Sequence, residues 1–126
     1  MITEDYVNLE IAKLLKEKGF DECCRAFITQ NVDFALESDG RVFNHILLDN
    51  EYAAPTLQMV VKWFRKIHRI DICVCREIDE QGKCFKGYIA VIYLDETYKI
   101  TIRNATKDLT YEEATNKAIK YCLTLI

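Results

Sequence analysis

The chain has 126 residues and a mass of 14.7 kDa, with 50% apolar and 29% charged residues. This length is typical of one globular domain, and four glycines with one proline exclude a low-complexity or collagen-like chain. The formal net charge of −3 argues against a general nucleic-acid coat protein, which is normally basic. We therefore expect residues 1–126 to form a single domain with a real core.

The N-terminal stretch MITEDYVNLEIAKLL differs from a secretory signal peptide, because Glu4 and Asp5 stand where positive charge is required. The longest apolar run, YIAVIYL at 88–94, suits a strand and is too short to span a bilayer. We expect a cytoplasmic protein that does not associate with membranes. In that reducing compartment the six cysteines are expected to be thiols rather than disulfides.

The first helix is predicted from Thr3, its N-cap, to about Lys18, with Gly19 as a left-handed cap. Its apolar residues follow the spacing of an amphipathic helix: Val7, Ile11, Leu14 and Leu15. After it, CRAFITQ (24–30) and VDFALES (32–38) predict short strands. Asp39-Gly40 is typical of a tight turn, and RVFNHILL (41–48) predicts a third strand.

The second helix is predicted within AAPTLQMVVKWFRKIH (53–68), with Pro55 at its first position. Its buried stripe comprises Leu57, Val60, Val61, Phe64 and either Ile67 or His68. Three strands follow at 70–78, 84–94 and 97–103, because apolar and polar residues alternate there.

The third helix is predicted to begin at Thr110, which forms a capping box with Glu113. Its predicted stripe comprises Tyr111, Ala114, Ala118, Tyr121, Cys122 and Leu125. The order of elements is therefore α, several β, α, β-β-β, α. This order indicates an α+β domain with one twisted antiparallel sheet of about five or six strands and three helices packed mainly on one side.

Three stretches of the sequence, KLLKEKGFDE (13–22), APTLQMVVKWFRKIHRIDICV (54–74) and LTYEEATNKAIKYCLTLI (109–126), carry a resemblance. They resemble a group of small uncharacterised proteins encoded in Bacteroides-type gut bacteria, often in prophages and mobile elements. The group has no assigned activity and offers no catalytic residues to transfer. The resemblance implies a bacterial or phage-borne accessory protein of the cytosol, and it implies no mechanism.

No residue pattern in the chain is typical of an enzyme. Nucleophilic catalysis requires an activated nucleophile beside a base, and the two histidines, His45 and His68, lie in no known catalytic motif. His68 ends the second helix, where a cation complements the helix dipole. The carboxylates of REIDE and DETY are those of solvated turns. We expect a protein without enzymatic activity and without a cofactor.

Basic residues at helical spacing form the best candidate for a binding surface. Lys62, Arg65, Lys66 and Arg69 are spaced i, i+3, i+4, i+7 and so share one helix face in an otherwise acidic protein. This face is either a solvated surface or a docking site for phosphates or an acidic partner protein. Trp63 borders it and is an interface anchor if exposed, although burial under the sheet fits better.

A second basic surface follows from the last predicted strand. Lys99, Thr101 and Arg103 project from one face of that strand, and Lys107 follows. Some three-stranded sheets read the DNA major groove with such a face. The acidic total and the mixed-sign neighbours Asp71, Glu77 and Lys86 weigh against this interpretation, because phosphate binding depends on net cationic contacts.

Cys73, Cys75 and Cys84 raise the question of a metal site. The apolar pattern predicts one face that holds Ile70, Ile72, Val74, Ile89, Val91, Tyr98 and Ile100. Val74 then lies opposite an odd-numbered residue such as Gly87, and the three cysteines share the other face. The C-x-C spacing separates residues by roughly 6.5 Å along a strand, whereas zinc ligands usually come from turns with C-x₂₋₄-C spacing. We therefore expect small apolar filler residues and no metal.

Two function hypotheses remain. The first is a non-enzymatic accessory protein of phage or mobile-element origin that binds another protein through the second helix or a sheet edge. The alternative is a small nucleic-acid-binding module that uses the basic helix face or the Lys99–Lys107 surface. Steep loss of nucleic-acid binding with salt distinguishes the alternative from the first.

Overall fold

The computed structural model describes residues 4–78, 80–95, 98–103 and 108–126, without the side chains of 84–86. Within these residues the class is α+β, with three α-helices and six strands. The elements in chain order are α1 (Leu9–Glu17), β1 (Cys24–Thr29), β2 (Leu36–Val42), β3 (Glu51–Ala53), α2 (Leu57–Trp63), β4 (Asp71–Ile78), β5 (Cys84–Tyr93), β6 (Lys99–Ile102) and α3 (Tyr111–Leu123).

The six strands form two three-stranded antiparallel sheets, with strand orders β2-β1-β3 and β4-β5-β6. The expectation of one larger sheet is therefore wrong. The chain also divides into two compact units, the first running to Met59 and including Ile126, the second Val60–Leu125, with the boundary inside α2. Each unit holds one sheet.

In the first unit, α1 packs on β1 and β3. The helix begins at Leu9, later than expected, and Asn8 is its N-cap, accepting a hydrogen bond from the Ile11 amide at 2.9 Å. The preceding residues are not helical because their backbones bond elsewhere. The Val7 amide donates to Pro55 O at 3.0 Å. The expected cap, Thr3, lies outside the described residues.

The end of α1 matches its prediction. Gly19 has φ +87°, a conformation that glycine adopts without the steric cost of a Cβ atom. The Phe20 amide then donates to Leu15 O at 2.9 Å, which closes the last turn of the helix. Phe20 itself is buried.

The predicted turn at Asp39-Gly40 is wrong, because β2 runs through both residues. Cys24 pairs with Val42 and Ala26 pairs with Glu37, so one residue of β1 lies opposite four residues of β2, 38–41. The extra residues form a bulge rather than a hairpin. The predicted strand 41–48 is also wrong after Val42, since residues 43–50 form turns.

The second helix begins two residues after the predicted first position, Pro55. Thr56 precedes it, and the Thr56 hydroxyl accepts from the Met59 amide at 3.2 Å. After Trp63 the helix continues as one π-helical turn, Phe64–His68, and Arg69 ends it with φ 56°. A π turn holds more residues than an α turn. This widening leaves Ile67 59% exposed and brings the half-buried His68 toward the interior.

In the second unit, α3 packs on one face of β4, β5 and β6. The predicted capping box is confirmed, with Glu113 N donating to Thr110 Oγ1 and Thr110 N donating to Glu113 Oε1, both at 3.1 Å. The predicted stripe is correct in part. The buried residues are Ala114, Thr115, Ala118, Ile119, Cys122 and Leu123, whereas Tyr111, Tyr121 and Leu125 are exposed.

Candidate functional site

Four cations near the end of the second helix form what we call the basic helix surface, comprising Lys62, Arg65, Lys66 and Arg69. All four residues are exposed. In the part of the chain that the structure describes, none of their side chains makes an ion pair or a hydrogen bond. Their charges are therefore not neutralised by this part of the protein and are available to an external anion.

Trp63 lies at the edge of this surface but is only 6% exposed. Its ring packs edge-on against Phe64 and His68, at centroid distances of 5.1 and 4.7 Å. It therefore offers no exposed aromatic anchor, and the alternative of a buried tryptophan fits. The exposed apolar residue of this turn is Ile67, which the sequence left open as a member of the buried stripe.

His68 has an apolar environment. Its ring lies 5.9 Å from that of Phe64, and its buried Nε2 atom has no hydrogen-bond partner among the described residues. No carboxylate or thiol of the described chain bonds to it, so the arrangement is not that of a general base.

The face of the second sheet opposite α3 is the other candidate surface, and we call it the outer face. Its exposed or half-buried residues include Asp71, Cys73, Cys75, Ile89, Val91, Tyr93, Lys99 and Thr101. Strand pairing sets them in rows. Asp71, Tyr93 and Lys99 lie side by side, as do Cys73, Val91 and Thr101. The apolar residues of β5 therefore run along the middle of the face, with charges at its corners.

The outer face carries charges of both signs. Lys99 and Thr101 are exposed as predicted, but Arg103 forms an ion pair with Glu77 at 2.8 Å. Asp71 lies on the same row as Lys99. These two carboxylates offset the cations that would bind phosphates. Lys107, the last residue of the predicted face, lies outside the described residues.

The predicted register of the second sheet is wrong by one residue. Val74 pairs with Ala90 and Ile72 with Ile92, so even-numbered residues of β5 share the α3-facing side. A one-residue shift moves every side chain of a strand to the other face. Ile89 and Val91 consequently lie on the outer face instead of in the core.

Cys73 and Cys75 share the outer face, as expected, and both are free thiols in solvent rather than filler on a covered face. The side chain of Cys84 lies outside the described residues. Within the described chain no three histidine, cysteine or acidic side chains converge as a metal site would require.

One pair of residues that the sequence did not connect is Asp21 and His45. His45 Nδ1 lies 2.7 Å from Asp21 Oδ2, and the His45 amide donates to Asp21 Oδ1 at 3.0 Å. The backbone hydrogen bond from His45 is the largest cause that lowers the pKa of Asp21. The pair is exposed, and no hydroxyl or thiol of the described chain bonds to His45, so a nucleophile is missing.

The first unit also contains a cleft of about 490 Å³. Its polar lining includes Tyr6, Cys23, Arg25 and Glu37, and Tyr6 OH donates to Glu37 Oε1 at 3.3 Å. Burial, followed by the nearby Glu37 carboxylate, raises the pKa of Tyr6. The cleft is lined by carboxylates and by the Arg25 guanidinium. No base of the described chain is bonded to the Cys23 thiol, so the cleft lacks the activated nucleophile of a catalytic site.

The chain matches no protein-family model, no curated protein and no solved structure. No helix in the described ranges is long and apolar enough to cross a bilayer. The candidate site therefore rests on geometry alone, and the basic helix surface and the outer face are its two strongest elements.

Proposed function

We propose that this protein is a non-enzymatic accessory protein that binds an acidic surface of a partner protein through the basic helix surface. The observation that carries the proposal is the set of four exposed cations without acidic partners in the described chain. In a chain of net charge −3 such a cluster is a local feature that complements an acidic partner.

The exposed Ile67 favours a protein over a nucleic acid as the partner. It lies in the same helical turn as Arg65 and Lys66 and is 59% exposed. Protein interfaces combine an apolar centre with a polar rim, whereas phosphate backbones reward cationic contacts alone. An exposed aliphatic side chain among the cations contributes to binding when the partner has apolar surface to cover it.

The sequence resemblance to small proteins of prophages and mobile elements supports an accessory role for the protein. An accessory protein of such an element is expected to act on other proteins of the host or the element. The genes beside the coding sequence test this part of the proposal, because a mobile-element origin requires integrase, phage or transfer genes nearby.

A binding experiment separates the protein partner from the nucleic-acid partner. The probes are a fluorescent glutamate-rich peptide that carries one tryptophan and a fluorescent DNA duplex of equal charge. We expect the peptide to bind, and Lys66→Glu to weaken it about fivefold or more at low salt. Lys117→Glu, an equal change at an exposed position of α3, is the matched control and leaves binding unchanged.

Substitution of Ile67 completes the test. Ile67→Ser weakens binding of the peptide if the turn contacts a protein, and leaves DNA binding unchanged. Preferential binding of the duplex, with affinity that falls steeply with salt, would establish the nucleic-acid alternative. Absence of binding by both probes at low salt would overturn the proposal.

A further inference from the structure

The outer face of the second sheet has a charge arrangement that is complementary to itself. Asp71 on β4 and Lys99 on β6 lie in one row, on either side of Tyr93. At the other end of the face, Glu77 of β4 pairs with Arg103, which follows β6, at 2.8 Å. The β4 edge is therefore acidic at both ends and the β6 edge is basic at both ends.

The middle strand supplies the apolar part. Ile89 and Val91 are half-buried and Tyr93 is 43% exposed, all on β5 between the two charged edges. An apolar centre with a charged rim is the usual composition of a protein interface. The remaining residues of the outer strands have small side chains. They are the free thiols Cys73 and Cys75 on β4 and Thr101 on β6.

We propose that the outer face binds the outer face of a second copy of this chain, around a twofold axis parallel to the strands and above β5. This operation exchanges the β4 and β6 positions and keeps each row. Asp71 of each copy then lies over Lys99 of the other, whereas Glu77 and Arg103 stay paired within each copy. The β5 residues meet their own counterparts along the axis.

Other twofold arrangements of the two faces are unfavourable. An axis within the sheet but perpendicular to the strands exchanges the two ends of the face. Asp71 of one copy then no longer meets Lys99 of the other, so the complementary charges are separated. Aligned packing of two sheets is a common arrangement of β-sandwiches and suits the parallel axis.

The area of the face limits the affinity. With strands about 4.8 Å apart and rows about 6.8 Å apart, the face covers on the order of 400 Å² per copy. A standard interface covers roughly 800 Å² per partner, so the dimer is weak and forms at high protein concentration. This surface differs from the basic helix surface, and the inference does not depend on the proposed partner.

The test uses two charge-reversal variants, first separately and then as a mixture. Sedimentation equilibrium of the whole chain, up to about 1 mM, is expected to show a monomer–dimer equilibrium. Asp71→Lys alone and Lys99→Asp alone each place like charges opposite one another, and each weakens the dimer about tenfold. An equimolar mixture of the two variants restores association as a heterodimer, because the lysine introduced in one variant then lies over the aspartate introduced in the other.

A cross-linking experiment tests the geometry independently of affinity. Thr101→Cys places a thiol opposite Cys73 of the second copy, with the two packed sheets about 10 Å apart. A bis-maleimide with a short ethylene spacer, which adds to two thiols, is expected to join these two cysteines into a covalent dimer. The variant that combines Thr101→Cys with Cys73→Ser is the control and does not form this link.

Two results overturn the inference. One is a wild-type chain that stays monomeric at the highest concentration and a Thr101→Cys variant that forms no link through Cys73. The other is a mixture of the two charge variants that associates no better than either variant alone. Circular dichroism of each variant confirms that its fold is kept.

Discussion

The Asn44 side chain accepts a hydrogen bond from the backbone amide of Ala53 at 2.8 Å, and both residues are buried. The Asn44 amide group also donates to Phe20 O at 2.8 Å. One side chain thus supplies hydrogen-bond partners to two buried backbone groups of the first unit. Asn44 lies in the turn that replaces the strand predicted at 41–48.

Asn44→Ala is therefore expected to destabilise the protein by about 2–4 kcal/mol, because two buried backbone groups lose their partners. Urea unfolding followed by circular dichroism measures the loss. Asn50→Ala is the matched control, since Asn50 is exposed, and it changes stability by less than about 0.5 kcal/mol. Equal effects of the two substitutions would show that the Asn44 bonds contribute nothing.

Gly87→Ala is expected to destabilise the second unit. A Cβ atom at this position would lie 3.0 Å from Asp108 Cβ and 3.1 Å from Leu109 N. Backbone atoms have to move to relieve this contact, at a cost of about 1–3 kcal/mol. Gly40→Ala, where a Cβ atom meets nothing within 4 Å, is the control and is neutral or slightly stabilising. Thermal unfolding of the two variants distinguishes them.

The Asp21–His45 contact predicts a pH dependence of stability. The hydrogen bonds from His45 hold the pKa of Asp21 below its usual 3.8 in the folded state. A carboxyl with a lowered folded-state pKa stabilises the fold above its unfolded value, and this contribution is lost as the pH falls through the folded value. The stability difference between the wild type and Asp21→Asn is therefore expected to shrink as the pH falls below about 4.

Urea titrations at a series of pH values measure that difference. Asp49→Asn is the control, because Asp49 is exposed and its side chain makes no bond to a described residue. The difference in unfolding free energy between Asp49→Asn and the wild type is expected to be independent of pH in this range. A difference for Asp21→Asn that is constant from neutral to acid pH would contradict the role of the contact.

Local signals in the sequence were sufficient where the structure depends on neighbouring residues. The capping box of Thr110 and Glu113 involves residues three apart, and the Gly19 cap closes on its own helix. The exposure of Lys62, Arg65, Lys66 and Arg69 agrees with the predicted polar side of the helix, whereas their sharing one face stays a prediction because a π turn interrupts the helical spacing. The π turn that exposes Ile67 has no comparable signal, because no Pro or Gly marks it.

Long-range relationships were not predictable in the same way. The residues of β5 are apolar on both faces, so alternation alone cannot decide whether Ile89 or Ala90 faces α3. Asp21 and His45 are 24 residues apart and meet only because a turn carries His45. The bulge in β2 likewise depends on its pairing with β1, and the local Asp39-Gly40 signal indicated a turn instead.

The adjacent residues Cys23 and Cys24 give the final prediction, which concerns thiol reactivity. Cys23 is exposed, whereas Cys24 is buried, and burial raises the pKa of Cys24 to about 12. Burial likewise raises the pKa of Cys122 to about 12. The thiolate is the reactive form. With iodoacetamide near pH 8, Cys23, Cys73 and Cys75 are therefore expected to be alkylated well before Cys24 and Cys122.

Mass spectrometry of peptides after timed quenching measures the rate at each cysteine. In denaturant the rates of Cys23 and Cys24 are expected to become similar, because unfolding exposes both thiols equally, and this comparison is the internal control. Native-state alkylation of Cys24 as fast as that of Cys23 would contradict the burial of β1 at its first residue. Slow alkylation of Cys73 and Cys75 that becomes faster on dilution would instead show a covered outer face, as the proposed dimer requires at high concentration.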